Sequence, residues 1–168
     1  MQLLLVRHAI AEEREAFART GQDDSLRPLT KEGKWKMERI AKGLRRAAGA
    51  IDLVATSPFV RAAETAKLLA RACGDPPVDE VGALTPDAEP DALLRWLRRR
   101  RAPELVAVVG HEPHLGCLAT WLLAGLAEPR LPFKKGGACL LELDARPRAG
   151  GATLAWALTP SLLRRLAD

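Results

Sequence analysis

The sequence predicts an α/β fold: a doubly wound, mostly parallel sheet with helices on both faces and a C-terminal hairpin that supplies an antiparallel edge strand. Three observations predict it. Short apolar runs alternate with longer amphipathic stretches along the chain, the order expected of strands and helices packed in layers. Leu105 to Val109, "LVAVV", is continuously apolar, as a strand covered on both faces must be. Two apolar segments near the C-terminus flank a turn at Gly150 and Gly151, the mark of strands folded back on each other.

The elements follow in order. Gln2 to Val6 is short and apolar and reads as a buried strand. Ala11 to Leu26 is polar, with Gly21 and the pair Asp23 and Asp24, and reads as a long loop with room for one helical turn. Thr30 can cap a helix over 31–48, with Glu32 favourably placed in its first turn and Gly49 ending it. Ile51 to Thr56 is the second strand. Ser57 and Pro58 break it and open a helix to about Cys73. A third strand spans 76–81, and a helix runs from Glu89 or Pro90 to about Arg101. The fourth strand is 105–109, followed by a helix over 112–123. Strands over 138–143 and 153–158 and a short helix over 161–166 complete the chain.

Composition narrows the classes. The 168 residues suit one domain, 1–168, with its own core. A hydrophobic share of 48% against 28% charged excludes extended disorder. The net charge of +5 favours anionic partners without naming one. Leu3 to Val6 is too short for a signal peptide and has no basic flank. The longest apolar stretch, Leu115 to Leu126, is broken by Gly116 and Gly125, so no membrane span is expected. Cys73, Cys117 and Cys139 are widely spaced and odd in number. They read as small apolar residues of a reducing, cytoplasmic protein, without metal-site spacing.

In sheets of this class, ligands bind beyond the carboxyl ends of the strands. Arg7 and His8 follow the first strand, "TSPFVRAAETA" with Arg61 follows the second, and "VVGHEPHLG" with His111 follows the fourth. Two arginines and two histidines thus converge on one rim. That set suits a phosphoryl group. The guanidinium fork matches phosphate oxygens and keeps its charge, helix N-termini add N–H groups, and histidine can act as nucleophile or proton carrier. Consecutive strand residues face opposite ways, so Arg7 and His8 can share one ligand only if the strand ends there.

Taken together, "VRHA", "RPLTKEG", "SPFVRAAETA" and "VVGHEP" resemble the histidine phosphatase superfamily. The short chain, "LRPLT", "ALTPDAEPD" and "LAWALTP" resemble more narrowly its SixA-like phosphohistidine phosphatase group, over nearly the whole length. The resemblance implies that His8 is the nucleophile and carries the phosphoryl group transiently. It implies that Arg7 and Arg61 hold the phosphate oxygens, and that His111 donates to the transferring group. Asp24, just before "RPLT", is assigned to ordering its loop. Neither metal nor other cofactor is expected. The expected partner is a signalling or phosphocarrier protein carrying phosphohistidine.

Many members of the superfamily carry a carboxylate in a Leu-x-Glu segment after the third strand, used as general acid. Here the segment reads Leu84, Thr85, Pro86, an absence that the SixA-like group shares. Whether Asp87 or Glu89 takes that role is left open. The rival substrates are small phosphate esters and nucleotides, and the rival class is a phosphate-binding module without turnover. A zinc site of His8, His111 and His114 is disfavoured by the two arginines, so His114 is placed at the site's edge or in solvent. Arg95 and Arg98 to Arg101 read as the wet face of a helix rather than a nucleic-acid patch, since no aromatic platform accompanies them. Lys134 and Lys135 fall in a loop before the fifth strand, where they either guide an acidic partner or simply face solvent. Trp35, Trp96, Trp121 and Trp156 are expected in or near the core, with Trp156 a candidate border of the site.

Overall fold

Leu3, Leu4, Leu5 and Val6 are fully buried because the first strand, β1 (Gln2–Arg7), lies inside a sheet covered on both faces. This is seen in a computed structural model that describes residues 1–100 and 103–168. The other strands are β2 (Leu53–Thr56), β3 (Val78–Glu80), β4 (Leu105–Gly110), β5 (Ala138–Leu143) and β6 (Ala152–Leu158). The order across the sheet is β3-β2-β4-β1-β5-β6. The pairs β3–β2, β2–β4 and β4–β1 are parallel, whereas β5 runs antiparallel to both β1 and β6. The expected mixed α/β sheet is therefore present. Among the described residues, the C-terminal hairpin contributes the one reversed strand, β5, and the edge strand β6.

The helices are α1 (Arg14–Ala18), α2 (Lys31–Ala48), α3 (Val60–Ala72), α4 (Pro90–Leu97), α5 (His114–Ala124) and α6 (Pro160–Leu166). Alternation along the strands sorts the core into two layers. Leu4, Val6, Val54, Ala107 and Val109 face Met37, Ile40, Leu44 and Leu69 of α2 and α3, together with Leu163 of α6. Leu3, Leu5, Ala55, Val106 and Val108 face Leu93, Leu94 and Leu97 of α4 and Leu115, Leu118 and Leu122 of α5. The Thr30 hydroxyl accepts from Gly33 N–H at 2.9 Å and caps α2 as expected. A Cβ on Gly33 would lie 2.0 Å from the Ile10 carbonyl oxygen, and one on Gly43 1.9 Å from that of Leu163. Glycine at these two positions lets α2 press against the loop after β1 and against α6.

Several boundaries differ from the sequence expectation. The 11–26 loop contains α1 and a 3-10 turn at Asp24–Leu26. β3 shrinks to Val78–Glu80. The backbone of Phe59 is extended, so α3 begins at Val60 rather than at Ser57. α5 begins at His114, because the residue before a proline disfavours helical geometry and Glu112 precedes Pro113. α4 stops at Leu97. Its expected end at Arg101, and the last arginine of the run, lie outside the described residues.

Trp35 is 57% exposed rather than in the core. The buried face of α2 carries Gly33, Met37, Ile40, Ala41 and Leu44, which leaves position 35 on the wet side beneath the Arg39 guanidinium. Trp96, Trp121 and Trp156 are half-buried. Arg95 is exposed and pairs with Asp91, and Arg100 pairs with Asp79, so these arginines do line a solvated face. Cys139 is buried, and burial pushes its thiol up to about 12. No helix among the described residues is long and apolar enough to cross a membrane.

Candidate active site

The parallel register brings the strand ends together. Arg7 sits opposite Gly110, and Thr56 opposite Val109, so the segments after β1, β2 and β4 leave the sheet side by side. Arg7, His8, Arg61 and His111, the four residues expected at the site, line one cavity of about 210 Å³ at this rim. β1 ends at Arg7, the condition for Arg7 and His8 to face one ligand.

Each side chain is held from behind. Arg7 Nη1 donates to the Phe133 carbonyl at 2.6 Å, in the segment leading to β5. His8 Nδ1 lies 2.7 Å from the Ala9 carbonyl oxygen, an acceptor, so Nδ1 carries the proton and Nε2 keeps a lone pair. Ala9 N–H donates to the Thr65 hydroxyl at 3.0 Å, and that hydroxyl donates to the Arg61 carbonyl at 2.7 Å. Thr65 thereby ties the loop after β1 to the start of α3. The His8 and His111 ring centroids lie 5.2 Å apart. His111 Nε2 lies 2.8 Å from Ser57 Oγ, and Phe59 packs edge-on against the same ring.

Arg61 is 2% exposed, yet its charge is compensated. Its Nη1 donates to the Asp24 carbonyl at 2.8 Å, and its Nη2 lies 3.1 Å from Asp24 Oδ2. Asp24 Oδ1 also accepts from Arg27 Nε at 2.8 Å. Partial burial opposes ionisation of Asp24, but the Arg27 hydrogen bond and the Arg61 and Arg27 charges hold its carboxyl below the ordinary value. Asp24 thus orders its loop as expected and, in addition, fixes two arginines.

Both site histidines are neutral at physiological pH. Burial pushes His8 down to about 3, with the neighbouring His111, Arg61 and Arg7 adding to the effect. His111 is likewise pushed down to about 3, by burial and then by the Arg61 charge.

Other expectations need correction. His114 does not face solvent; it stands behind the cavity wall, close enough to His111 that its charge would act on that ring. It is 4% exposed on the first turn of α5, with neither ring nitrogen partnered among the described residues, and burial lowers its pKa. Trp156 packs at the margin of the α2–α3 core and does not border the cavity. Pro86 lines the cavity, whereas Asp87 and Glu89 do not. The carboxylates that do are exposed Glu12 and Glu13 and half-buried Glu112. Burial pushes the Glu112 carboxyl up, against the opposing Arg7 charge. Lys135 lines the rim; Lys134 is exposed.

Sequence reasoning also missed Arg27, Ser57 and Thr65. Arg27 is 6% exposed, lines the cavity and donates to the Glu12 carbonyl at 2.7 Å. Its signal was present in "LRPLT", where the arginine stands three residues after Asp24. Ser57 and Thr65 lay inside a quoted motif, but a serine near a helix start is read first as a cap and a threonine inside a helix as bonding back to its own carbonyls.

Comparison with known proteins agrees with this fold. The model of the histidine phosphatase superfamily (branch 1) matches residues 3–85. An uncharacterised protein of Picosynechococcus sp. is 34% identical over 139 residues, 82% of either chain. The phosphohistidine phosphatase SixA of Escherichia coli is 28% identical over 167 residues, covering 98% of this chain and 97% of that one. The solved structure of the protein histidine phosphatase SixA complexed with tungstate superposes with a TM-score of 0.82 at 27% identity, over 97% of this chain and 99% of that chain.

Proposed function

The chain belongs to the histidine phosphatase superfamily and is SixA-like, and from this we propose that it removes phosphoryl groups from phosphohistidine on a protein, with His8 as nucleophile. The observation that carries the reading is His8 itself: neutral, with Nδ1–H committed to Ala9, beside Arg7 and Arg61 in one cavity.

The chemistry runs in two displacements. His8 Nε2 attacks phosphorus and forms a P–N bond. The bond to the leaving group breaks with its electron pair, and the leaving group departs protonated. Water then attacks the phosphoryl-imidazole, loses a proton, and releases inorganic phosphate and neutral His8. Arg7 and Arg61 bind the equatorial oxygens, and His111 donates to the same group, so positive and hydrogen-bonding groups stand where charge redistributes. The scheme requires no metal ion. In it the whole chain works as one domain, and its three free cysteines fit a reducing cytoplasm.

Two features favour phosphohistidine. An alkoxide needs a proton as it leaves, and Pro86 stands where an acid would serve. Imidazole, with an unperturbed pKa of about 6.5, can be protonated near neutral pH without a dedicated donor. The cavity, about 210 Å³, is also below the roughly 300–1,000 Å³ typical of small-molecule sites, which suits a group presented from a partner's surface. A second reading, hydrolysis of a small phosphate ester, is favoured by one observation: Glu112 lines the cavity with its carboxyl pushed towards the protonated form.

A turnover panel separates them. The order expected in kcat/KM is phosphohistidine proteins, then activated aryl phosphates, then alkyl phosphates. Alkyl esters hydrolysed as efficiently as any phosphohistidine protein would give the second reading the lead.

A further inference from the structure

Ser57 is fully buried one residue beyond the end of β2. Its N–H donates to the Val109 carbonyl at 3.0 Å, which locks it in register beside the strand that leads to His111. Among the described residues its hydroxyl has two hydrogen-bond neighbours: the Phe59 N–H, which donates to it at 3.3 Å, and His111 Nε2 at 2.8 Å. A hydroxyl has one proton to give and two lone pairs to receive with. The amide occupies a lone pair and can accept nothing. The hydroxyl proton therefore has one acceptor among these partners, the lone pair of Nε2. A proton on Nε2 instead would leave the buried hydroxyl hydrogen with no acceptor, an arrangement that buried polar groups avoid.

This matters because His111 is neutral. A neutral imidazole has one N–H, and Ser57 decides which nitrogen carries it. Nδ1 is buried and has no partner among the described residues, so its hydrogen bond is left for a ligand to complete. With its proton on Nδ1, His111 has a donor left for a ligand. In the other tautomer the single N–H would be spent on Ser57, and Nδ1 would turn a lone pair towards an oxyanion.

We infer that Ser57 is a positioning residue: its hydroxyl donates to His111 Nε2 and fixes the Nδ1–H tautomer through which His111 donates to the phosphoryl group. The inference rests on the proposed role of His111 in phosphoryl transfer. It goes beyond a helix-capping role for Ser57, which would involve Phe59 alone.

The test combines ¹⁵N NMR of histidine-labelled protein at pH 7 with turnover of 4-nitrophenyl phosphate. Wild-type His111 should show protonated Nδ1 and unprotonated Nε2. Ser57→Ala should mix the tautomers and lower kcat about 10- to 100-fold, with a much smaller change in KM. Ser57→Thr, which keeps the hydroxyl, should recover most of the loss. Wild-type His111 protonated on Nε2 would overturn the inference, and that spectrum needs no variant to fold. So would Ser57→Ala with an unchanged spectrum or unchanged kcat. A wild-type protein that turns over no phosphorylated substrate would instead defeat the phosphatase reading, an outcome distinct from either.

Discussion

Asp24 holds both arms of Arg61: its carbonyl accepts Nη1 at 2.8 Å, and its carboxylate lies 3.1 Å from Nη2. A residue 37 positions earlier in the chain thus sets the angle at which the guanidinium meets the cavity. Asp24→Ala should lower kcat/KM about 10-fold through loss of that orientation. It should cost only about 1 kcal/mol of stability, since the carboxylate is partly solvated and its ion pairs are screened. Urea unfolding beside steady-state kinetics checks both. A stability loss with unchanged kcat/KM would reduce Asp24 to a loop residue.

Arg61→Ala should lose about 1.5–3 kcal/mol of charge-assisted contact, or roughly 10- to 150-fold in kcat/KM. Tungstate inhibition should weaken in parallel. Arg61→Lys should recover little, because an ammonium cannot reproduce the fork that Asp24 grips and the phosphate needs. Activity close to wild type in either variant would remove Arg61 from the site.

The buried histidines predict acid sensitivity of the fold. The folded pKa values of His8 and His111 are lowered from 6.5 to about 3, and that of His114 is lowered too, so below pH 6.5 the unfolded chain binds more protons than the native one. Stability is full above about pH 6.5 and is lost as pH falls towards 3. His114→Leu removes one of these groups and two unpartnered buried nitrogens. It should stabilise the protein by about 1 kcal/mol at pH 7 and flatten the acid decline. Urea midpoints at pH 7 and pH 5 provide the check. A destabilised variant at pH 7 would show that the His114 nitrogens have partners.

Glu112 decides how far the absence of an acid at Pro86 matters. Glu112→Gln keeps the shape and removes the proton. It should change phosphohistidine turnover less than about 3-fold, because the imidazole leaving group supplies its own protonation site. A loss of 100-fold or more on alkyl phosphates, with loss of the alkaline limb of the pH profile, would instead make Glu112 a general acid.

The strands and the two helical layers were legible because their signals are local: apolar runs, alternation, caps and turn glycines. Arg7, His8, Arg61 and His111 were legible as a set because sheet topology sends the ends of β1, β2 and β4 to one rim. The segments that went astray are governed by contacts distant in sequence. α1 is the short helical turn that the polar stretch had room for, but its single buried residue, Phe17, is too short a signal to give its bounds. No local pattern distinguishes a buried His114 from one at the site's edge or in solvent; α5 turns it inward. Glu112 rather than Asp87 meets the cavity, and no spacing rule separates those two carboxylates. Ser57 acquires its role only when parallel pairing of β2 with β4 sets it against His111.

The central claim is that His8 carries the phosphoryl group. Rapid quench of the protein with ³²P-labelled substrate tests it most directly. Label should appear on the enzyme within one turnover, stable to alkali and lost in acid as a phosphoramidate is, and should map to the peptide containing His8. His8→Ala should show neither label nor turnover. Label that persists on His8→Ala, or a wild-type adduct that alkali destroys and acid preserves, would contradict the account.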